Sequence, residues 1–310
     1  MRQPSMRHSL LFVALSVLVT AVFAASAHAE KAPPDKAMMF DYAKAGDAPA
    51  QAGGVFHKPR CCNVTEWKLT RPTGGEVEVT VVAPPGKAKH PTVLWLHREG
   101  AEVKRAMFVH EAEALAAAGI ASLLVELPFK QPYVHRANNN AGDADVIRNA
   151  VIDARRAIDW AATRPEFNIE RLAVVGHRFG AWAGALLAAV DRRVDAVLLM
   201  SPPGKPSGWL QVTEQPKAKK FRETFDKDAW GTYLNSIEPL DPEKWVMYVA
   251  PAKLHFQFAS NDEWVQTLEQ VDLFRAASQP KSRQMFESDE MLNDDARKDR
   301  HAWLRRALGR

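Results

Sequence analysis

The chain has 310 residues, 46% of them hydrophobic and 25% charged, with a formal net charge of +4. That composition excludes a disordered chain and suffices for a sizeable core. The basic residues are scattered apart from "KAKK" at 217–220, a solvated helix face by pattern, so a nucleic-acid-binding stripe is excluded as well.

Arg2 and Arg7 precede an apolar run of 14 residues, Leu10 to Phe23, followed by Ala27-His28-Ala29. Positive start, apolar centre and small-residue end predict a secretory signal peptide over residues 1–29, and hence a periplasmic or secreted protein. The run is short of the roughly 18–20 residues that span a bilayer, so no stable membrane span is expected after cleavage. Cleavage removes two arginines and no acid, leaving a net charge of +2.

Residues 30–54, rich in Ala, Pro, Gly and Lys, read as a flexible N-terminal arm, and an ordered domain is expected over 55–310. Cys61 and Cys62 are the only cysteines and are adjacent. Export permits a disulfide, but two cysteines make no framework, and a vicinal bond, a bond to a second chain and a reduced pair all stay open. Nearby His57 does not complete a zinc pattern. "TEWKLTRP" and "GEVEVTVVAP", joined through Thr73-Gly74-Gly75, predict a β-hairpin.

From His90 onward apolar strands alternate with helical stretches. "HPTVLWLH", "IASLLVELP", "RLAVVG", "VDAVLLM", "KLHFQFA" and "SRQMFES" are separated by segments of helical spacing, "NNN" at 138–140 falling in a loop. This pattern predicts a mostly parallel sheet covered by helices on both faces. About 202–250 has no strand pattern and many charges and aromatics, which reads as a small helical cap.

"VVGHRFG" ends a strand and opens a helix, with Gly176 and Gly180 flanking Arg178. In a G-x-S-x-G elbow the glycines permit close backbone approach and the central side chain is thrust into the site. With this elbow, "LWLHREG", "FQFASNDEWV" and "LNDDARKDRHAWL", the chain from about Val81 onward resembles the α/β-hydrolase superfamily, near the dienelactone-hydrolase and peptidase-like serine esterases. The resemblance implies an α/β-hydrolase fold and a triad at positions 178, 262 and 290; the sequence has no phosphate-loop, HExxH or EF-hand motif, so no cofactor is expected. Those positions hold Arg178, Asp262 and Glu290. Arginine cannot be deprotonated in a protein, so it cannot replace a serine nucleophile. Together the three residues predict an ion cluster, with a solvent-directed Arg178 as the alternative.

The resemblance also implies an oxyanion-hole region formed by the Phe179 amide and the loop His97, Arg98, Glu99 and Gly100, with His177 a structural neighbour of the elbow. Other residues near strand ends are Ser201 and Ser260, which lack elbow glycines, and His135; His301 falls inside the last helix. Three functional readings follow. One is a non-catalytic hydrolase-like protein binding a small molecule or a protein at the old pocket. Another is an acyl hydrolase with a displaced nucleophile. The third is a partner-binding protein using cap aromatics such as Trp209, Trp230, Tyr233 and Trp245. Arg98, Arg178 and the helix N-terminus suit an anion, whereas an Arg178 saturated by acids favours a neutral or cationic ligand.

Overall fold

The computed structural model describes residues 34–43, 50–58, 61–71, 74–100, 104–129 and 142–309. The expected signal peptide, Thr73, His135, the 138–140 run and the side chain of His57 lie outside the described residues.

Nine strands form one sheet among the described residues: β1 (Ala50–Lys58), β2 (Cys62–Thr70), β3 (Glu76–Ala83), β4 (His90–Leu96), β5 (Ala121–Val125), β6 (Phe167–His177), β7 (Val194–Met200), β8 (Lys253–Ala259) and β9 (Lys281–Phe286). Their order is β1-β2-β3-β5-β4-β6-β7-β8-β9. The first three are antiparallel, as is β3 to β5; β5 through β9 run parallel. The helices are α1 (Pro34–Ala37), α2 (Val109–Ala117), α3 (Gly142–Ala162), α4 (Phe179–Val190), α5 (Pro206–Val212), α6 (Pro216–Arg222), α7 (Lys227–Ile237), α8 (Thr267–Ala276) and α9 (Asp294–Ala307).

The period of two along a strand sorts the apolar residues into two cores. Leu94, Leu96, Val174, Val197 and Leu199 face one way, onto α3, α4 and α8. Val93, Trp95, Ala173, Val175 and Leu198 face the other, onto α2 and α9. A sheet covered twice needs strands that are apolar throughout, and every residue of β4 is buried.

Part of the stretch expected as an unpacked arm is built into the fold. Phe40 is fully buried and meets Trp245 edge-on at 5.4 Å, its carbonyl accepts from Arg155 Nη1 at 2.8 Å, and β1 begins at Ala50, before Val55. One large aromatic side chain supplies enough buried area to hold a segment whose composition otherwise argues against order. Cys61 and Cys62 form a vicinal disulfide.

Between β7 and β8 the described residues hold α5, α6, α7 and short 3-10 turns, with no strand. This cap has its own aromatic cluster: Phe221 meets Tyr233 at 5.1 Å and Trp230 stacks on Tyr233 at 5.4 Å. Tyr233 hydroxyl donates to Asp143 of α3 at 3.0 Å, and Trp182 Nε1 of α4 donates to the Leu240 carbonyl at 2.6 Å, so the cap is tied to the sheet-covering helices.

The β6–α4 elbow depends on two missing side chains. A Cβ on Gly180 would lie 2.0 Å from the Leu96 carbonyl oxygen, and one on Gly176 would lie 2.2 Å from the Gly180 carbonyl oxygen. Gly180→Ala is therefore expected to lower unfolding free energy in urea by about 2–4 kcal/mol, because β4 or α4 must move. Gly231→Ala is the contrasting case: it lies inside α7, where an added Cβ meets nothing described within 4 Å, and a gain of about 0.5–1 kcal/mol is expected.

Candidate functional site

The elbow places Arg178 between β6 and α4 with φ 52° and ψ −110°, a left-handed conformation that costs a non-glycine residue on the order of 1–3 kcal/mol. Its amide donates to the Met200 carbonyl at 3.0 Å and its carbonyl accepts from the Trp182 amide at 2.8 Å, so backbone bonds on both sides hold the turn. The side chain is 9% exposed, which rules out the solvent-directed alternative. Arg178 Nε donates to Glu99 Oε1 at 2.7 Å, and its guanidinium carbon lies 4.7 Å over the Trp264 ring.

Glu99 is thus the close partner of Arg178, not Asp262. The β4–α2 loop carries Glu99 past the α4 N-terminus, where its second oxygen lies 3.4 Å from the Phe179 amide and accepts its hydrogen bond. The amide one residue beyond the elbow apex is the group that stabilises an oxyanion in enzymes built on such a turn, and here a carboxylate of the same chain occupies it. Burial pushes the Glu99 carboxyl up, but the Arg178 charge and the hydrogen bonds from its own amide and from Arg178 outweigh this, holding it below the usual carboxylate range.

The rest of the loop is used structurally. His97 Nε2 accepts from the Leu127 amide at 2.8 Å, which leaves Nδ1 as the protonated nitrogen donating to the Arg98 carbonyl at 2.7 Å. Burial lowers the His97 pKa. Arg98 Nη1 donates to the Glu99 carbonyl at 3.0 Å, and the Gly100 amide donates to the Phe129 carbonyl at 2.9 Å, with Gly100 at φ 138°.

Glu290 reaches the cluster at longer range, Oε1 being 4.0 Å from Arg178 Nη1. Its carbonyl accepts from His177 Nε2 at 2.8 Å. His177 is wholly buried, and that burial pushes its pKa down to about 4, so the ring is neutral and points away from the elbow apex.

The expected pairing of Asp262 with Arg178 is replaced by a local turn. Oδ1 accepts from the amides of Trp264 at 2.8 Å and Val265 at 2.9 Å, and no ion pair joins it to Arg178 among the described residues. Oδ2 is buried without a hydrogen bond. Burial, with Glu290 adding to it, pushes the Asp262 carboxyl up to about 6 against the two amides and the Arg178 charge.

A cavity of about 20 Å³ adjoins the cluster, lined by Arg178, Phe179, Ser201, Trp209, Trp264 and Glu269 among others. Trp209 from the cap and Trp264 lie 5.7 Å apart with rings inclined at 36°. Glu269 Oε1 accepts from the amides of Gly204 at 2.7 Å and Lys205 at 2.8 Å, and burial raises its pKa. The Ser201 hydroxyl is buried without a hydrogen bond, and Ser260 is exposed; neither bonds a histidine among the described residues. His301 Nε2 instead meets Glu111 Oε2 at 3.2 Å on α2. Tyr233 and Trp245 are buried in the cap and its base, which leaves Trp209 as the cap aromatic on the cavity. Among the described residues no group of three His, Cys, Asp or Glu side chains is placed to hold a metal ion, and no helix is long and apolar enough to cross a membrane.

Among solved structures the chain is similar to acetyl xylan esterase 1 from Thermoanaerobacterium sp. JW/SL YS485, at 13% identity and a TM-score of 0.72 over 90% of this chain and 95% of that one. It is similar to an acetyl xylan esterase from Paenibacillus sp. R4, at 15% identity and a TM-score of 0.74 over 88% and 95%. A 2,6-dihydroxy-pseudo-oxynicotine hydrolase matches at 15% identity and a TM-score of 0.61 over 79% and 68%. Such identities carry the backbone architecture. No protein-family model and no curated protein matches by sequence.

Two stability measurements test the electrostatics. Arg178→Ala strands the buried Glu99 carboxylate and is expected to cost about 3–5 kcal/mol, whereas Arg178→Met with Glu99→Gln removes both charges and recovers most of it. An equal loss in both variants refutes the pairing. For Asp262 the folded pKa lies above the unfolded value, so its stabilising contribution is complete below about pH 4 and is lost as pH rises through about 6. Asp262→Asn keeps the acceptor for both amides and is expected to gain on the parent by about 2 kcal/mol between about pH 4 and pH 7; a pH-independent difference in urea melts contradicts this.

Proposed function

The chain has the α/β-hydrolase fold, and from that premise we propose that it is an exported pseudohydrolase that binds a small molecule at the old pocket without serine-type acyl transfer there. The observation that carries this reading is the Glu99 carboxylate bound to both Arg178 and the Phe179 amide. An apex arginine has no nucleophile to offer, and an amide already accepted by a carboxylate does not receive a developing oxyanion.

The cavity, at about 20 Å³, holds about one water molecule as it stands, so a ligand enters only by displacing the side chains that line it. Arg178 is paired with Glu99 and lies 4.0 Å from Glu290, and with Asp262 and Glu269 nearby the site carries more acids than bases. A neutral or cationic ligand, packed against the touching Trp209–Trp264 pair, suits that balance better than an anion. Export rests on the N-terminal pattern of residues 1–29.

The second reading is hydrolysis of a short acyl ester by a displaced nucleophile. It draws on Ser201, which lines the cavity, and on the acetyl xylan esterases among the structural neighbours. A general base bonded to that hydroxyl is what it lacks among the described residues.

Both readings are tested with a fluorophosphonate probe and short p-nitrophenyl esters, with every label mapped by mass spectrometry. Combining Arg178→Ser, Glu290→His and Glu99→Gly is expected to create labelling at position 178, with ester turnover at least ~100-fold above the parent. The parent is expected to carry no label on cavity residues. Parent turnover abolished by Ser201→Ala overturns the pseudohydrolase reading in favour of the second.

A further inference from the structure

On β8 and its neighbours, away from the elbow, three side chains stand in hydrogen-bonded series. His255 of β8 faces Ser282 of β9 in the strand register, and His255 Nδ1 meets Ser282 Oγ at 2.8 Å. On the other side of the ring, His255 Nε2 meets Asp299 Oδ2 of α9 at 2.9 Å. A carboxylate only accepts, so Nε2 carries the ring proton and donates to Asp299. Nδ1 is then the bare nitrogen, and the Ser282 hydroxyl donates to it. A nucleophile, a base and an orienting acid in hydrogen-bond reach are the parts of nucleophilic catalysis, recognised by geometry and not by chain order.

The relay is supported from behind. Asp299 Oδ2 also accepts from Gln257 Nε2 at 2.8 Å, Gln257 Oε1 accepts from Arg300 Nη1 at 2.7 Å, and Arg300 forms a two-pronged pair with Glu111 at 2.7 Å for each bond. Burial alone raises the Asp299 carboxyl, but the bonds from His255 and Gln257 outweigh it and keep its pKa below the ordinary value. Trp303 stacks on the imidazole at 5.3 Å, with 19° between planes. The His255 side chain is 6% exposed, whereas Ser282 is open to solvent. Water therefore reaches the relay at the hydroxyl and at the partly exposed Asp299 carboxylate, and not at the imidazole.

The strand edge adds a donor. β9 is the outermost strand, and the bond from the Leu254 amide to the Pro280 carbonyl sets the phase of the ladder. Ser282's amide then turns inward to β8, and the amide of Arg283, the next residue, turns outward along the free edge. The Arg283 guanidinium lies 4.8 Å from the Phe274 ring on the opposite face.

We infer that Ser282, with His255 as base and Asp299 as positioning residue, is a nucleophilic site that accepts short acyl groups from activated esters. Oγ bonds to the ester carbonyl carbon while its proton passes to His255 Nδ1, and Asp299 stabilises the resulting imidazolium through Nε2–H. Collapse of the tetrahedral adduct breaks the carbon–oxygen bond to the leaving group, which departs as an alcohol or phenol with the proton from Nδ1. Acyl-Ser282 and the free alcohol are the products, and no other reactant is consumed. The open edge limits the donor to a small, activated ester. His255 lies early in β8 and Asp262 beyond its carboxyl end, so this site is separate from the cavity and independent of the function proposed for it.

The test treats the full-length protein with p-nitrophenyl acetate and maps acetyl groups by mass spectrometry over time. Acetylation at Ser282 is expected, lost in Ser282→Ala with the melting temperature unchanged, because this side chain is exposed. Asp299→Asn is expected to slow labelling ~10- to 100-fold, and Asp299→Glu, which retains a carboxylate acceptor, to restore much of the rate. Lys281 is the neighbouring competitor, its ammonium held by the carbonyls of Phe274, Arg275 and Ala277. Acetyl groups on lysines with Ser282 unmodified, or an Asp299→Asn rate equal to the parent's, overturn the inference. Label on Ser201 concerns the cavity alone, so the two ideas fail separately.

Discussion

The close approach of α4 to the end of β4 is the constraint on which the site depends. Backbone meets backbone at Gly180 and Leu96, nearer than any side chain permits. This contact brings the helix N-terminus under the loop that follows β4. Once it is made, a residue at the elbow apex and a residue two beyond His97 are forced into one small volume. Whatever side chains stand there must be chemically compatible, and Arg178 and Glu99 satisfy the demand by opposite charge and direct hydrogen bonding.

That solution has an internal logic. A helix N-terminus disfavours a cation by about 0.3–1 kcal/mol, and a left-handed arginine adds strain. Glu99 answers the first difficulty directly, since it accepts from both the guanidinium and the first amide of α4. Trp264 covers the guanidinium, reducing competition from water and strengthening the pair. The remaining acids are held by other donors: Asp262 and Glu269 by pairs of amides. The result is a site in which one ion pair is closed on itself and the other acids are held by backbone, while Asp262 Oδ2 and the Ser201 hydroxyl are buried without a hydrogen bond.

Much of the architecture was legible because its signals are local. The continuous apolar run at Val93–Leu96 and the glycine pair at 176 and 180 describe a strand and a sharp turn within a few residues, and the absence of strand pattern between β7 and β8 marked the cap. The partner of Arg178 was less legible. A motif says where the loop after His97 travels, but not which way Glu99 turns across the 79 residues separating it from Arg178. Asp262 misled because its loop offers two amides that capture the carboxylate locally, a habit of short polar side chains in turns. Phe40 was hidden by a composition rich in Ala, Pro and Gly, in which one aromatic side chain sets the outcome. The pairing of Ser282 with His255 depends on strand register across a helical crossover, and no short motif encodes it.

The Phe40–Trp245 contact has a mechanical consequence. Trp245 belongs to the turns that lead from the cap back to β8, and Phe40 reaches it from the amino-terminal segment, while Arg155 of α3 grips the Phe40 carbonyl. The segment therefore acts as a latch between the cap's hinge and the body of the protein. Any swing of the cap that widens the cavity beside Trp209 must either pull Phe40 out of its socket or carry the whole segment along, so the leading end of the folded chain sets how far the pocket's roof lifts.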